Sequence, residues 1–237
     1  MSTYLLVHGA WAGGWSWEKV VPLLEEKGHA VKVIDLPGHG MDSTPPSKVT
    51  LQDYADKVCQ ALDVFDDQVI LVGHSMGGIV ISQAAELRPR KIKKLVYLTA
   101  YLLQNGEALM QATQEDQDSK LGQYVVLSED GSCITLEDES LKAVIYPNST
   151  DEDVKRVKQF NVPQPTIPIA TPINITDENY GSIPRVYIEC TKDLVISPSA
   201  QKKMYTQMPC EKVLSLATDH TPNYSSPYEL VEQLLKC

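Results

Sequence analysis

A chain of 237 residues, 43% of them hydrophobic, has the size of one large α/β domain or of such a domain carrying an insertion. Its formal net charge of −10 argues against nucleic acid or an anionic membrane as partner, because phosphates are held by clustered Lys and Arg. No apolar run approaches the roughly 20 residues of a membrane span, and five scattered cysteines with no CxxC pair read as reduced thiols of a cytoplasmic protein.

Short apolar runs alternate with amphipathic stretches, the pattern of a parallel sheet with crossover helices. Tyr4 to His8 reads as a first strand, and the residues before it lack the basic region of a signal peptide. Trp17 to Lys27 reads as a helix, with Val20, Val21, Leu23 and Leu24 on its apolar face and Gly28 as C-cap. Val31 to Asp35 forms the expected second strand, and Leu51 to Phe65 a helix capped by Thr50. Val69 to Gly73 gives the third strand. The helix after it begins at Ser75, runs through Ile79 to Leu87 and is ended by Pro89; Leu95 to Thr99 gives the fourth strand.

The alternation then breaks. Residues 102–183 are polar, acidic and rich in proline. Val162 to Ile173 carries four prolines and reads as extended, whereas Asp151 to Phe160 has a helical pattern. A structureless loop of about 80 residues is out of place in a compact domain, so 102–183 is expected to be a cap inserted after the fourth strand. Residues 1–101 and 184–237 are expected to form the core. Strand patterns return at Arg185 to Cys190 and Lys212 to Leu216, with helices from about Ser199 to Met208 and from Tyr228 to Lys236. The expected fold class is α/β, with a mainly parallel sheet of about six strands.

Between the third strand and its helix lies Gly73-His74-Ser75-Met76-Gly77. A serine on a sharp strand-to-helix turn has its Oγ raised clear of the sheet, and the turn is too tight for side chains at both glycines. That context makes Ser75 the candidate nucleophile. A serine hydroxyl needs a base, and an imidazole suits that task near neutral pH. Among five histidines, His74 sits beside Ser75 on the turn and diverges from it. His8 ends the first strand and is placed to buttress the loop there. His29 lies in a helix-to-strand turn and is expected to be exposed, and His39 orders its own loop. His220 follows the last strand, at the carboxyl edge where such sheets place their sites, and is the expected base. The acid that orients it should lie between Ser75 and His220 past a strand end. Asp193 fits; Asp219 is the weaker rival, and no carboxylate closely follows the fourth strand. The amides of Met76, next to the nucleophile, and of Ala10, in the loop after the first strand, are the expected oxyanion donors. Trp11 reads as a pocket residue, whereas Trp15 and Trp17 suit core packing.

Several segments together resemble one family: His8-Gly9-Ala10-Trp11-Ala12-Gly13-Gly14-Trp15, Asp35-Leu36-Pro37-Gly38-His39-Gly40, Gly73-His74-Ser75-Met76-Gly77-Gly78, Tyr180 to Ile188, and Asp219-His220 with Ser226-Pro227 beyond. They resemble the α/β-hydrolase fold, in its compact branch of plant methylesterases, hydroxynitrile lyases and bacterial esterase relatives. The resemblance implies the triad Ser75, Asp193 and His220, with Ala10 and Met76 as oxyanion donors; Gly9, Trp11 and Ala12 are the expected residues of the substrate pocket. It also implies departures. Lyases of this branch carry threonine at the place of Gly9 and lysine at that of Thr221, and plant members carry histidine at that of Ala12. The expectation is therefore a serine carboxylesterase of the bacterial type acting on small-to-medium apolar esters, with no cofactor and no metal. Its alternatives are a hydroxynitrile lyase and a non-catalytic small-molecule receptor or signalling protein. The expected partner is a small-molecule ester, and a homodimer is left open.

Overall fold

The computed structural model describes residues 1–237. Its main sheet has six strands in the order β2-β1-β3-β4-β8-β9. These are β1 (Thr3–Val7), β2 (Ala30–Val33), β3 (Val69–His74), β4 (Ile92–Leu98), β8 (Arg185–Cys190) and β9 (Lys212–Leu216). Every pair is parallel. Helices α1 (Val21–Glu26), α2 (Leu51–Asp63), α3 (Gly77–Leu87), α8 (Pro198–Gln207), α9 (Pro222–Ser225) and α10 (Pro227–Leu234) connect and flank them.

The central strands are apolar on both faces because both faces are covered. Along β1, Leu5 and Val7 enter the larger core with α2 and α3, while Tyr4 and Leu6 enter a second core with Trp17, Leu24 and α10. Alternation by two thus splits one short run between two cores. In α2, Leu51, Tyr54, Ala55, Val58, Cys59 and Leu62 are buried, and Thr50 caps the helix through a reciprocal pair of bonds with Asp53.

Between β4 and β8 the chain leaves the sheet. It forms α4 (Leu109–Glu115), α5 (Asp138–Ser140) continued by a wider π turn at Leu141–Ile145, α6 (Asp151–Phe160) and α7 (Thr166–Ala170). A separate antiparallel sheet orders β5 (Val125–Leu127), β6 (Cys133–Leu136) and β7 (Gln164–Pro165) as β5-β6-β7.

Four local expectations are corrected. The segment 162–173 is extended only in part: Pro168 falls in the first turn of α7, where the absence of an N–H costs nothing. The helix expected over 17–27 is instead a 3-10 turn (Gly14–Trp17) and the six-residue α1. Helix α3 starts at Gly77, because Ser75 is held in a left-handed turn. His29 is half-buried, accepting the Ser2 N–H at 3.3 Å with its ring edge-on to Tyr4.

Candidate active site

Strand order reverses at β1, whose neighbours are β2 and β3. The loops leaving β1 and β3 diverge there and open a crevice at the carboxyl edge. Ser75 lies at the tip of the β3–α3 turn with φ 54°. The turn closes on itself: a Cβ at Gly73 would stand 2.6 Å from Gly77 O, and one at Gly77 would stand 2.9 Å from the carbonyls of Val7 and His8. Side chains there would push the turn off both β1 and α3.

His220, in the loop after β9, presents Nε2 to Ser75 Oγ at 3.0 Å. Its Nδ1 lies 2.7 Å from Asp193 Oδ2. Asp193 follows β8 and is buried. Its other oxygen, Oδ1, accepts the amides of Val195 at 2.6 Å and Ile196 at 3.0 Å. The three residues read from sequence as a triad therefore meet in one chain of hydrogen bonds. Asp219, the rival acid, faces elsewhere: it accepts the amides of Asn148 and Thr221 and the Ser225 hydroxyl. The amides of Ala10 and Met76 have no acceptor within the protein, and both residues border the cavity at Ser75.

The other histidines have structural partners. His74 donates from Nε2 to His220 O at 2.8 Å. Burial, and His220 nearby, push its pKa down to about 3. His8 donates from Nδ1 to Gly9 O and accepts the Leu36 N–H at Nε2. Burial, with His39 beside it, lowers its pKa to about 3 as well. His39 donates to Gln164 Oε1 at 3.0 Å, tying the Leu36–Gly40 loop to β7. The bond that His8 accepts needs a neutral ring, and burial disfavours the charged form of all three.

Two cavities meet at Ser75. The larger, of about 450 Å³, is mainly apolar and includes Met76, Tyr101, Leu109, Leu121, Ile134 and Ile169 in its wall. The smaller, of about 30 Å³, lies on the His220 side against Ala12, Ser16, Tyr146, Thr221 and Asn223. Ala10, Trp11, Ser75 and Val195 border both. Trp11, at φ 60°, donates its indole N–H to Ile134 O and accepts the Val162 N–H, so it joins the β1 loop to the inserted segment. Gly9 and Ala12 border only the smaller cavity. Trp17 packs in the core as expected, while Trp15 is half-buried against Phe160 and Tyr224.

Three residues of the site escape sequence reading. Thr99 donates to Asp193 Oδ2 at 2.5 Å; its position after β4 was the only available signal. Ser16 and Asn223 line the smaller cavity, and their buried Oγ and Oδ1 atoms have no hydrogen-bond partner. Nothing in their sequence context marks them.

A family model described as the alpha/beta hydrolase family matches residues 4–234. Methylesterase 9 of Arabidopsis thaliana is 35% identical over 251 residues, which cover 100% of this chain and 98% of that protein. The crystal structure of a methylesterase from Arabidopsis superposes on 100% of this chain and 98% of its own, with a TM-score of 0.86 and 26% identity. That of a pyrethroid hydrolase from Sphingobium faniae JZ-2 covers 99% and 96%, with a TM-score of 0.89 and 31% identity. With the fold, the serine turn and these esterase relatives in agreement, the chain belongs to the α/β hydrolase family, in its methylesterase-like branch, and is a carboxylic ester hydrolase.

Proposed function

We propose that the chain hydrolyses esters of apolar carboxylic acids with short alcohols, methyl esters foremost, through an acyl-enzyme on Ser75. The observation that carries this reading is the inequality of the two cavities at Ser75. Ser75 Oγ attacks the ester carbonyl carbon and gives its proton to His220 Nε2. Asp193 holds the imidazole in the required tautomer and stabilises the imidazolium. The amides of Ala10 and Met76 take the oxyanion, each worth roughly 3–4 kcal/mol of transition-state stabilisation. The departing alkoxide takes the proton back from His220, so the alcohol leaves on the His220 side. Water then enters the same place, gives a proton to His220 and adds its oxygen to the acyl carbon. The bond from Ser75 Oγ to that carbon breaks, Oγ takes the proton from His220, and the acid leaves.

This order of steps assigns the smaller cavity to the alcohol and the larger one to the acyl group. A cavity of about 30 Å³ has room for one or two water-sized groups, which suits methanol or the hydrolytic water. Ser16 Oγ and Asn223 Oδ1, unpartnered in its wall, favour a hydroxylic occupant over a purely apolar one. The cavity of about 450 Å³ suits an aromatic or branched acyl group. Residues 102–183 act as the cap that shapes both, and the five free thiols fit a reducing compartment such as the cytoplasm.

The test is a series of methyl, ethyl, n-butyl and tert-butyl esters of one aromatic acid. kcat/KM is expected to fall at each step, by at least about 100-fold across the series, and Ser75→Ala to lose at least about 10⁴-fold in kcat. Equal turnover of methyl and tert-butyl esters overturns the assignment of the cavities. Undiminished turnover by Ser75→Ala overturns the nucleophile.

A further inference from the structure

Thr99 directly follows β4, at the place in the fold where the sequence offered no carboxylate. A hydroxyl stands there instead. Thr99 is fully buried and takes φ 35°, a conformation that a β-branched residue adopts only when its surroundings impose it. Its N–H donates to Ile188 O at 2.8 Å, which fixes its backbone to β8. Its Oγ1 donates to Asp193 Oδ2 at 2.5 Å, the same oxygen that faces His220 Nδ1 at 2.7 Å.

The two carboxylate oxygens are held differently. Oδ1 is anchored by the amides of Val195 and Ile196, both from the loop that carries Asp193 itself. Those bonds leave the carboxylate free to turn about Oδ1. Oδ2 is reached from two other parts of the chain, Thr99 just past β4 and His220 in the loop after β9. Only Thr99 is rigidly seated in the sheet; the imidazole must itself be oriented by Asp193 and cannot serve as the reference. We infer that Thr99 is a positioning residue: its hydroxyl fixes the rotation of the Asp193 carboxylate and thereby the line from Oδ2 through His220 to Ser75. This rests on the reading of Asp193 as the acid of the site.

Thr99→Val keeps the shape and the β-branch but removes the donor. Thr99→Ser keeps the donor. With a methyl ester as substrate, Thr99→Val is expected to lower kcat about 10- to 100-fold with KM changed less than about twofold, since a small misalignment of reacting groups costs that much. Thr99→Ser is expected to stay within about threefold of the parent. In an Asp193→Asn background, Thr99→Val is expected to cost less than about threefold, because residues that act through one another are not additive. Thermal melting of each variant accompanies the kinetics. Thr99→Ala carries the same expectation should Thr99→Val fail to fold. Full activity of Thr99→Val, equal damage from Thr99→Ser, or an undiminished cost in the Asp193→Asn background each overturns the inference. Asp193→Asn turning over like the parent overturns instead the reading of Asp193 on which it rests.

Discussion

Gly9 decides at the scale of one atom what the site accepts. A Cβ added there would stand 2.8 Å from Ser75 Cβ and 3.2 Å from His74 Nδ1. Neither neighbour is the free end of a flexible chain: one is the root of the candidate nucleophile, the other a buried imidazole bonded to His220 O. Glycine therefore lets the β1 loop, with the Ala10 amide next in line, press against the serine turn. Gly9→Thr, the residue of the related lyases, is expected to shift Ser75 and lower ester kcat/KM at least about tenfold. It is not expected to create cyanohydrin cleavage. A leaving cyanide needs a cation, and at the lyase lysine position stands Thr221, buried with its hydroxyl on Ile145 O at 2.9 Å. Ester turnover and cyanide release from mandelonitrile check both halves. Unimpaired hydrolysis by Gly9→Thr would contradict the close approach.

At the scale of elements, the inserted segment shows which forces seat it. Helix α6 meets the β1–α1 loop through Lys19 on Asp153 at 2.7 Å and through Arg156 on Glu18, with two bonds at 2.8 and 2.5 Å. These charges are partly exposed, so water and salt screen them, and such pairs contribute about 0–1 kcal/mol. Val157, on the same helix, is fully buried in the main core. Removing two of its methyls costs about 0.8 kcal/mol per group before any cavity is counted. Val157→Ala is thus expected to destabilise by about 2 kcal/mol and Arg156→Ala by less than about 1, in urea unfolding at 0.15 M salt. The reverse ranking would make the ion pairs the anchor.

The same elements show where sequence reading works. Strands such as β1 and β3 are legible because an unbroken apolar run between polar turns has few other uses, and α2 because Thr50 and Asp53 cap a clear apolar stripe. The serine turn is legible because its Gly-x-Ser-x-Gly spacing lies between an apolar strand and a helix, and Gly73 is forced by Gly77 four residues on, although Gly77 itself is held by Val7 and His8, at the end of β1 and just past it. The bonds among Ser75, His220 and Asp193 join residues far apart in sequence; strand order, rather than spacing, brings them together. Helix α7 was missed because Pro165 caps it and Pro168 sits in its first turn, where proline is harmless. Thr99, Ser16 and Asn223 were missed because a lone Thr, Ser or Asn has too many ordinary roles. Only the three-dimensional partner, or its absence, separates them.

At the scale of the whole molecule, the site is built around neutral histidines, and this makes the fold sensitive to acid. His8 and His74 are fully buried, with burial as the first cause of pKa values near 3 against an ordinary 6.5. His39 is lowered in the same direction for the same reason. The folded values lie below the unfolded ones, so the unfolded chain takes up protons first as the pH falls. Their contribution to stability is whole above about pH 6.5 and is lost progressively from there toward pH 3. At pH 5, about 1.5 units below the unfolded value, each of His8 and His74 forfeits about 2 kcal/mol, at 1.36 kcal/mol per unit. Together that is about 4 kcal/mol, a large share of the 5–15 kcal/mol that holds a domain together. Carboxylate interactions do not confuse this window: the half-buried Glu18 and Glu86 are held below their ordinary value of 4.5 by their partners, so their losses begin only near that value and below. Urea unfolding at pH 7, 6 and 5 is therefore expected to show a free energy falling by about 4 kcal/mol, with most of the fall between pH 6 and 5. A free energy unchanged over that range would mean that these imidazoles accept protons without leaving the fold. In that case the Leu36 N–H would lose its acceptor at His8 Nε2 without unfolding the chain, whereas the donation from His74 to His220 O persists in either protonation state.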